Sequence, residues 1–310
     1  MAILRLLPLL SLILLQVVFF EVKGQNVHRN KTYEGAISSH KKTEPRIDLR
    51  HIKKKETVSL YGNLGYATYY GDLCKQINCF RFRPQFGVGI SIRTSYLKKR
   101  LSLRLEARGF ELYSGDYWKT TRNLNFRSYN FEMLALAQID LFPYEKLMRK
   151  RVRFNPYVFG GVGFFTYDPH GKDPATGKWV DLRPLRLNGG TYGSVAMAIP
   201  VGFGIKIRYS YKWSFMVEGG YRFTTTDYID GIHSYHYQDP STLPGGATGL
   251  AAQMSYNGKP APVWDSMKNW ERGDPKHNDG YFIFSAGVVY TFTNNHQPKY
   301  KGKQHLLRKS

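Results

Sequence analysis

Cysteine is nearly missing: Cys74 and Cys79 are the only two in 310 residues, too few for a disulfide scaffold or a four-ligand zinc site. Acidic residues are also scarce, with 23 Asp and Glu against 45 Lys and Arg and a net charge of +22. Long apolar runs stop after residue 20 and mean hydropathy is −0.43, which excludes a polytopic helical membrane protein. There is no HExxH, no EF-hand spacing and no serine in a nucleophile setting, so no metal, cofactor or catalytic residue is expected. What the chain does have is 23 Tyr, 19 Phe, 5 Trp and 30 Gly. Such aromatic content excludes a disordered chain. Rich in aromatics and glycine, only 42% hydrophobic, the chain has the composition of a transmembrane β-barrel.

The N-terminus points to export. Arg5 precedes an apolar run at 6–20, and Val22 and Gly24 occupy the −3 and −1 positions of a cleavage site before Gln25. Residues 1–24 therefore read as a signal peptide, too short in its apolar stretch for a membrane span. Residues 25–57 are polar and basic and read as a flexible periplasmic leader, with a weak helix expected at 47–55. Residues 58–293 form the barrel domain, and 294–310 a basic periplasmic tail.

Alternation carries the fold assignment. Leu101, Leu103, Leu105, Ala107 and Gly109 fall on one face, and Ser102, Arg104, Glu106 and Arg108 on the other. The same period of two runs through 85–93, 128–141 and 213–223, as expected of strands with two unlike faces. Segments 58–69, 155–167, 196–208 and 281–293 complete eight strands. They are longer than ordinary globular strands and close to the length of a tilted bilayer-crossing strand. Short links (96–100, 143–152, 209–212) alternate with long ones (70–84, 113–125, 168–195, 228–280), as in outer-membrane barrels, where short turns face the periplasm. The fold expected is all-β: an eight-stranded antiparallel outer-membrane barrel of a Gram-negative cell, with leader, tail and both mature termini in the periplasm. Gly287, Tyr290 and Phe292 on the last strand resemble the aromatic-terminated signal read by the barrel-insertion machinery, although residues 293–310 follow where the usual form has none.

On this topology nearly all of the positive charge lies in the leader, the short turns and the tail. Nucleic acid is therefore not expected as a partner. An acidic protein surface, anionic lipid headgroups or peptidoglycan fit better, while the barrel itself is expected to sit among outer-membrane lipid and lipopolysaccharide. Lys98, Lys99 and Arg100 on the first turn, with Lys146, Arg149, Lys150 and Arg151 on the second, form a candidate docking rim for periplasmic envelope proteins. An eight-stranded lumen is filled by side chains. The inward Arg104, Glu106, Arg108, Glu132, Lys206, Glu218 and Arg222 suit an interior ion-pair network. Cys74 and Cys79, in the first long loop, suit a small disulfide in an oxidising envelope. One alternative is kept open: Asp227, Asp230, His233, His236 and Asp239, at the start of the last long loop, could bind Ca²⁺ or Zn²⁺ or supply a base for a rim enzyme acting on lipid or peptide. A surface ligand-binding or adhesion role for the long loops is a third reading.

Several segments resemble a known family. NLNFRSYNFEMLALAQIDLFPY (123–144), FNPYVFGGVGFFTYDPHG (154–171), GKWVDLRPL (177–185), IPVGFGIKIRY (199–209), EGGYRFTTTDYID (218–230) and YYGDL (69–73) are similar to the Bacteroidetes outer-membrane β-barrel family typified by PorG. The resemblance covers about 58–293. The long last loop, with Pro244, Gly245, Gly246 and Trp264–Trp270, and the His-rich 233–236 stretch depart from the family pattern. The resemblance implies a component of the type IX secretion and gliding machinery associated with a periplasmic ring, and it carries over no catalytic residue. The expected function is a non-enzymatic barrel that docks such secretion-ring components.

Overall fold

Side chains that alternate between lipid-compatible and polar faces can satisfy both only if the sheet closes on itself, and this one does. The computed structural model describes residues 57–116, 122–145, 151–256 and 264–292. Its strands are β1 (Thr57–Tyr70), β2 (Arg83–Arg93), β3 (Leu101–Gly115), β4 (Asn125–Asp140), β5 (Phe154–Thr166), β6 (Pro169–Lys172), β7 (Trp179–Asp181), β8 (Val195–Arg208), β9 (Trp213–Thr224) and β10 (Gly280–Phe292). Eight of them, all but β6 and β7, run antiparallel in the order β1-β2-β3-β4-β5-β8-β9-β10. The ring closes between β1 and β10, in register from Val58↔Phe292 to Tyr70↔Gly280. Closure leaves no barrel strand with an unpaired edge. The signal-peptide, leader and tail assignments, with Lys146, Arg149 and Lys150, lie outside the described residues.

The outward face is a continuous apolar belt. Leu64 is 71% exposed and Leu105 67%, levels that exposed large hydrophobics reach on a closed barrel only when lipid covers them. Aromatics concentrate at its two borders. Trp213 meets Tyr290 at 4.8 Å and Tyr290 meets Phe292 at 5.0 Å near the short turns. At the other border Tyr66, Phe82 and Phe284 form a row with 6.4 Å spacings. These are the interfacial girdles of a membrane barrel.

Toward the long loops the pattern inverts. On β3 the inward side chains are polar up to Arg108 and then become Phe110 and Leu112, while the outward ones become Glu111 and Tyr113. On β4 inward Glu132 gives way to Phe126, and outward Phe131 to Arg127. There the wall has left the bilayer, so water lies outside and a hydrophobic core lies inside. That core packs Ala67, Tyr69, Phe110, Phe126, Phe165 and Tyr281 against Leu73, Ile229 and Ile232 of the loops. This explains two differences from the sequence reading. The third and fourth strands extend beyond 101–109 and 128–141, because pairing continues above the membrane to Gly115↔Asn125. The link 168–195 is also not featureless: β6 and β7 form a hairpin that adds to the end of β4 through Arg127↔His170. Short helices at Leu250–Ser255 and Trp264–Met267 sit in the last loop.

Candidate functional site

The lumen is filled at mid-height by charge. Arg104 donates from Nη1 and Nη2 to the two Glu218 oxygens at 2.9 and 3.1 Å, and from Nη2 to Glu106 Oε2 at 2.9 Å. Arg108 donates from Nη2 to Glu106 and lies 4.0 Å from Glu132, and Arg222 lies 3.9 Å from Glu132. Tyr61, Tyr157 and Tyr281 donate their hydroxyls to Glu106 (3.0 Å), Glu218 (2.9 Å) and Glu132 (2.7 Å). All six charged groups are buried. Three arginines face three glutamates, so the layer is neutral, which is the first condition for tolerating buried charge. Glu106 and Glu218 each accept several hydrogen bonds, whereas Glu132 accepts one, from Tyr281. Inward glycines make room for the rings: a Cβ at Gly89 or Gly204 would run into Tyr61 or Tyr157.

Below this layer, at the short-turn end, a basin of about 70 Å³ opens, lined by Arg93, Tyr144, Arg151, Lys206, Arg208 and Tyr211. Lys206 forms its floor, with Nζ 5.6 Å from the Tyr157 ring centroid. Arg151 stacks on Tyr144 and Tyr211, 4.2 and 4.8 Å from their centroids. Arg93 pairs with Asp140 at 2.5 Å. The β2–β3 and β4–β5 turns are neighbours because β3 pairs with β4, and the Tyr144 amide donates to the Lys99 carbonyl at 3.4 Å. Lys98 and Lys99 are exposed on consecutive left-handed residues (φ 55° and 65°). Arg100 follows, half-buried. Described cations of the candidate rim and of the basin therefore share one end of the barrel. Tyr290 and Phe292 face outward in the girdle of that same end, and Gly287 faces inward.

At the long-loop end Cys74 and Cys79 are joined by a disulfide. The 227–239 cluster is split. Asp227 pairs with His233 at 3.1 Å. His236 approaches the Trp270 carbonyl at 3.4 Å, and Asp239 accepts from the Ser241 amide at an exposed turn. Asp230 instead joins groups the sequence reading did not select. The Tyr69 hydroxyl lies 2.7 Å from Asp230 Oδ2 and 2.5 Å from Asp279 Oδ1. One hydroxyl hydrogen cannot serve two carboxylates, so one of the pair carries a proton. Burial, reinforced by neighbouring Asp72, pushes the Asp230 carboxyl up to about 7. Burial, then Asp230, Asp72 and Asp274, pushes Asp227 up to about 9. Asp279 is raised by burial and then by Asp230, Asp227 and Asp72. These acids hold the loop over the barrel mouth: Asp279 accepts from the Ile229 amide at 3.0 Å, and Asp230 from the Ile232 amide at 2.8 Å. Among the described residues no set of three His, Cys, Asp or Glu side chains is placed to hold a metal ion. Tyr69 and Asp279 escaped sequence reasoning because they lie 161 and 50 positions from their loop partners, and no local spacing marks them.

Similar solved structures share the fold alone. Neisserial surface protein A is 9% identical, with 76% of this chain and 97% of that one covered at a TM-score of 0.37. For OprG of Pseudomonas aeruginosa the values are 12%, 77%, 98% and 0.39. For the attachment invasion locus protein Ail of Yersinia pestis they are 8%, 77%, 99% and 0.35. No curated protein matches the chain. Residues 63–242 match the family described as a domain of unknown function, DUF6089, and the chain belongs to that family.

Proposed function

We propose that this is a non-enzymatic barrel of the outer membrane whose short turns face the periplasm and dock an acidic partner surface there. The observation that carries the reading is the pairing of a filled lumen with cations gathered at one end. A barrel with Arg104, Arg108 and Arg222 locked to Glu106, Glu132 and Glu218 offers no passage for solutes. Its exposed Lys98 and Lys99, with Arg100, Arg151 and the basin cations, offer a surface for negative charge. Exposed pairs are worth only about 0.2–1 kcal/mol each, so docking works collectively, through encounter rate and register. The resemblance to the PorG-typified family supports the type IX secretion and gliding assembly of a Bacteroidetes-like cell as the setting, with a periplasmic ring as the partner. The split 227–239 cluster weighs against a rim enzyme.

The test reverses Lys98, Lys99, Arg100, Lys146, Arg149, Lys150 and Arg151 to Glu. The heat-modifiable folded barrel persists, and periplasmic partners are lost from pull-downs matched for folded protein. An unchanged partner set would refute the reading, as would loss of secretion on changing only Asp227, Asp230, His233 and His236 to Ala.

A further inference from the structure

Where the wall leaves the bilayer, its outward face carries cations stacked on aromatics. Arg127 stands two residues beyond Tyr129 and four beyond Phe131 on the lipid-facing side of β4, both exposed. At about 3.4 Å per residue it lies just above the aromatic girdle, at the depth of lipid headgroups. Its guanidinium carbon is 4.5 Å from the Trp179 ring centroid and 5.2 Å from that of Tyr129. The Trp179 ring lies 6.2 Å from Tyr113, over which Arg83 stacks at 4.3 Å. Two guanidiniums are thus held at fixed orientation by an aromatic ladder spanning β2, β3, β4 and β7. Of the two, Arg127 has no carboxylate within ion-pair distance among the described residues, and Arg83 has one at the long end of that range. Glu111 approaches Arg83 only to 3.8 Å, and the Arg127 Nε–H is buried with no hydrogen-bond acceptor among the described residues.

Planar donors above an apolar wall match a ligand with phosphate at one end and acyl chains at the other. Here the chains would run down past Tyr129 and Phe131 while the phosphate meets Arg127 and Arg83. We propose that this patch binds the phosphate of an acylated glycolipid of the lipid A class in the outer leaflet. The leaflet rests on the proposed orientation; the recognition of a phosphorylated lipid rests on the patch itself.

The test uses the full-length barrel purified in neutral detergent, with native mass spectrometry reading lipid bound to the folded monomer. Diphosphoryl lipid A is the probe, with phosphatidylglycerol and inorganic phosphate as the other arms. Arg83→Gln and Arg127→Gln each weaken lipid A retention about fivefold, and the pair about twentyfold or more, from about 1 kcal/mol per cation at a membrane surface. Arg153→Gln at the opposite end leaves retention unchanged. Equal retention by the double variant would overturn the site. Displacement by millimolar inorganic phosphate would make it a free-phosphate site, and equal retention of phosphatidylglycerol would remove the glycolipid assignment. The docking reading fails by a different measurement, because rim-reversed protein still retains lipid A and the Arg83→Gln, Arg127→Gln protein still captures periplasmic partners.

Discussion

Replacing Glu218 with Leu removes the carboxylate that Arg104 grips with two nitrogens at 2.9 and 3.1 Å and that the Tyr157 hydroxyl meets at 2.9 Å. Breaking a buried pair from one side costs about 3–5 kcal/mol, because the surviving charge loses its partner. Arg104 keeps Glu106 at 2.9 Å and Gln138 at 3.3 Å, so the lower end applies and a loss of about 3 kcal/mol is expected. Taking Arg104 to Met in the same protein restores neutrality. The double variant then loses only about 1–2 kcal/mol, mostly from the Tyr157 hydroxyl that has lost Glu218, since Tyr61 still donates to Glu106. The expected coupling is therefore a rescue: the second mutation gives back stability removed by the first. Urea unfolding in detergent micelles, followed by tryptophan fluorescence and by the gel shift of the folded barrel, measures all three proteins. A Glu218→Leu loss under 1 kcal/mol would falsify the reasoning. So would a double variant less stable than the single one, because either result means the pair is not the unit that holds the lumen closed.

Two further outcomes follow from the ends of the barrel. Asp227 and Asp230 titrate in the folded protein near 9 and 7, above the usual carboxyl value of about 3.9. The folded cap therefore binds protons the unfolded chain has released; its stability is full below about pH 4 and falls as pH rises through 7 to 9. Hydrogen exchange at 226–232 should accelerate between pH 5 and pH 9 after correction for intrinsic rates, and Asp227→Asn with Asp230→Asn should flatten the dependence; flat protection in the wild type defeats the assignment. At the other end, Tyr290→Asp with Phe292→Asp should strongly lower folded barrel in the outer membrane, whereas Trp213→Asp, opposite Tyr290 in register, should cost only the modest penalty of an acid near the interface; equal losses would show girdle stability and not recognition by the insertion machinery.

Period-two patterning made the wall legible because each strand separates lipid from lumen, and the contrast between Leu103 or Leu105 and Arg104 or Glu106 is large. The interior network could be read for the same reason, since a charge opposite a lipid-facing row has nowhere else to go. Where the wall rises into water the contrast reverses at Phe110 and Phe126. A reader following apolar-out stops there, which is why β3 and β4 came out short. The β6–β7 hairpin is invisible to periodicity: Pro169–Lys172 and Trp179–Asp181 are too brief for a repeat. Asp227 and Asp230 stood out as a local cluster, but Asp230 shares the Tyr69 hydroxyl with Asp279, a meeting that only barrel closure between β1 and β10 brings about.

The division of labour between wall, lumen and ends follows from these energies. A path through the barrel would have to part Arg104 from Glu218 and then displace the Tyr69, Phe126 and Tyr281 core above it. At about 3 kcal/mol for the first step alone, the open form would be populated below about 1%, before any aromatic side chain moved. Transport is thus opposed twice, by two layers built on different physics. Interaction chemistry is left at the surfaces: the cationic basin and turns at one end, the proton-bearing cap at the other, and the stacked arginines on the wall beneath it. Each faces a different environment, so changes at one should leave the other two unaltered; the proposed docking role requires that independence, and a gated barrel would break it.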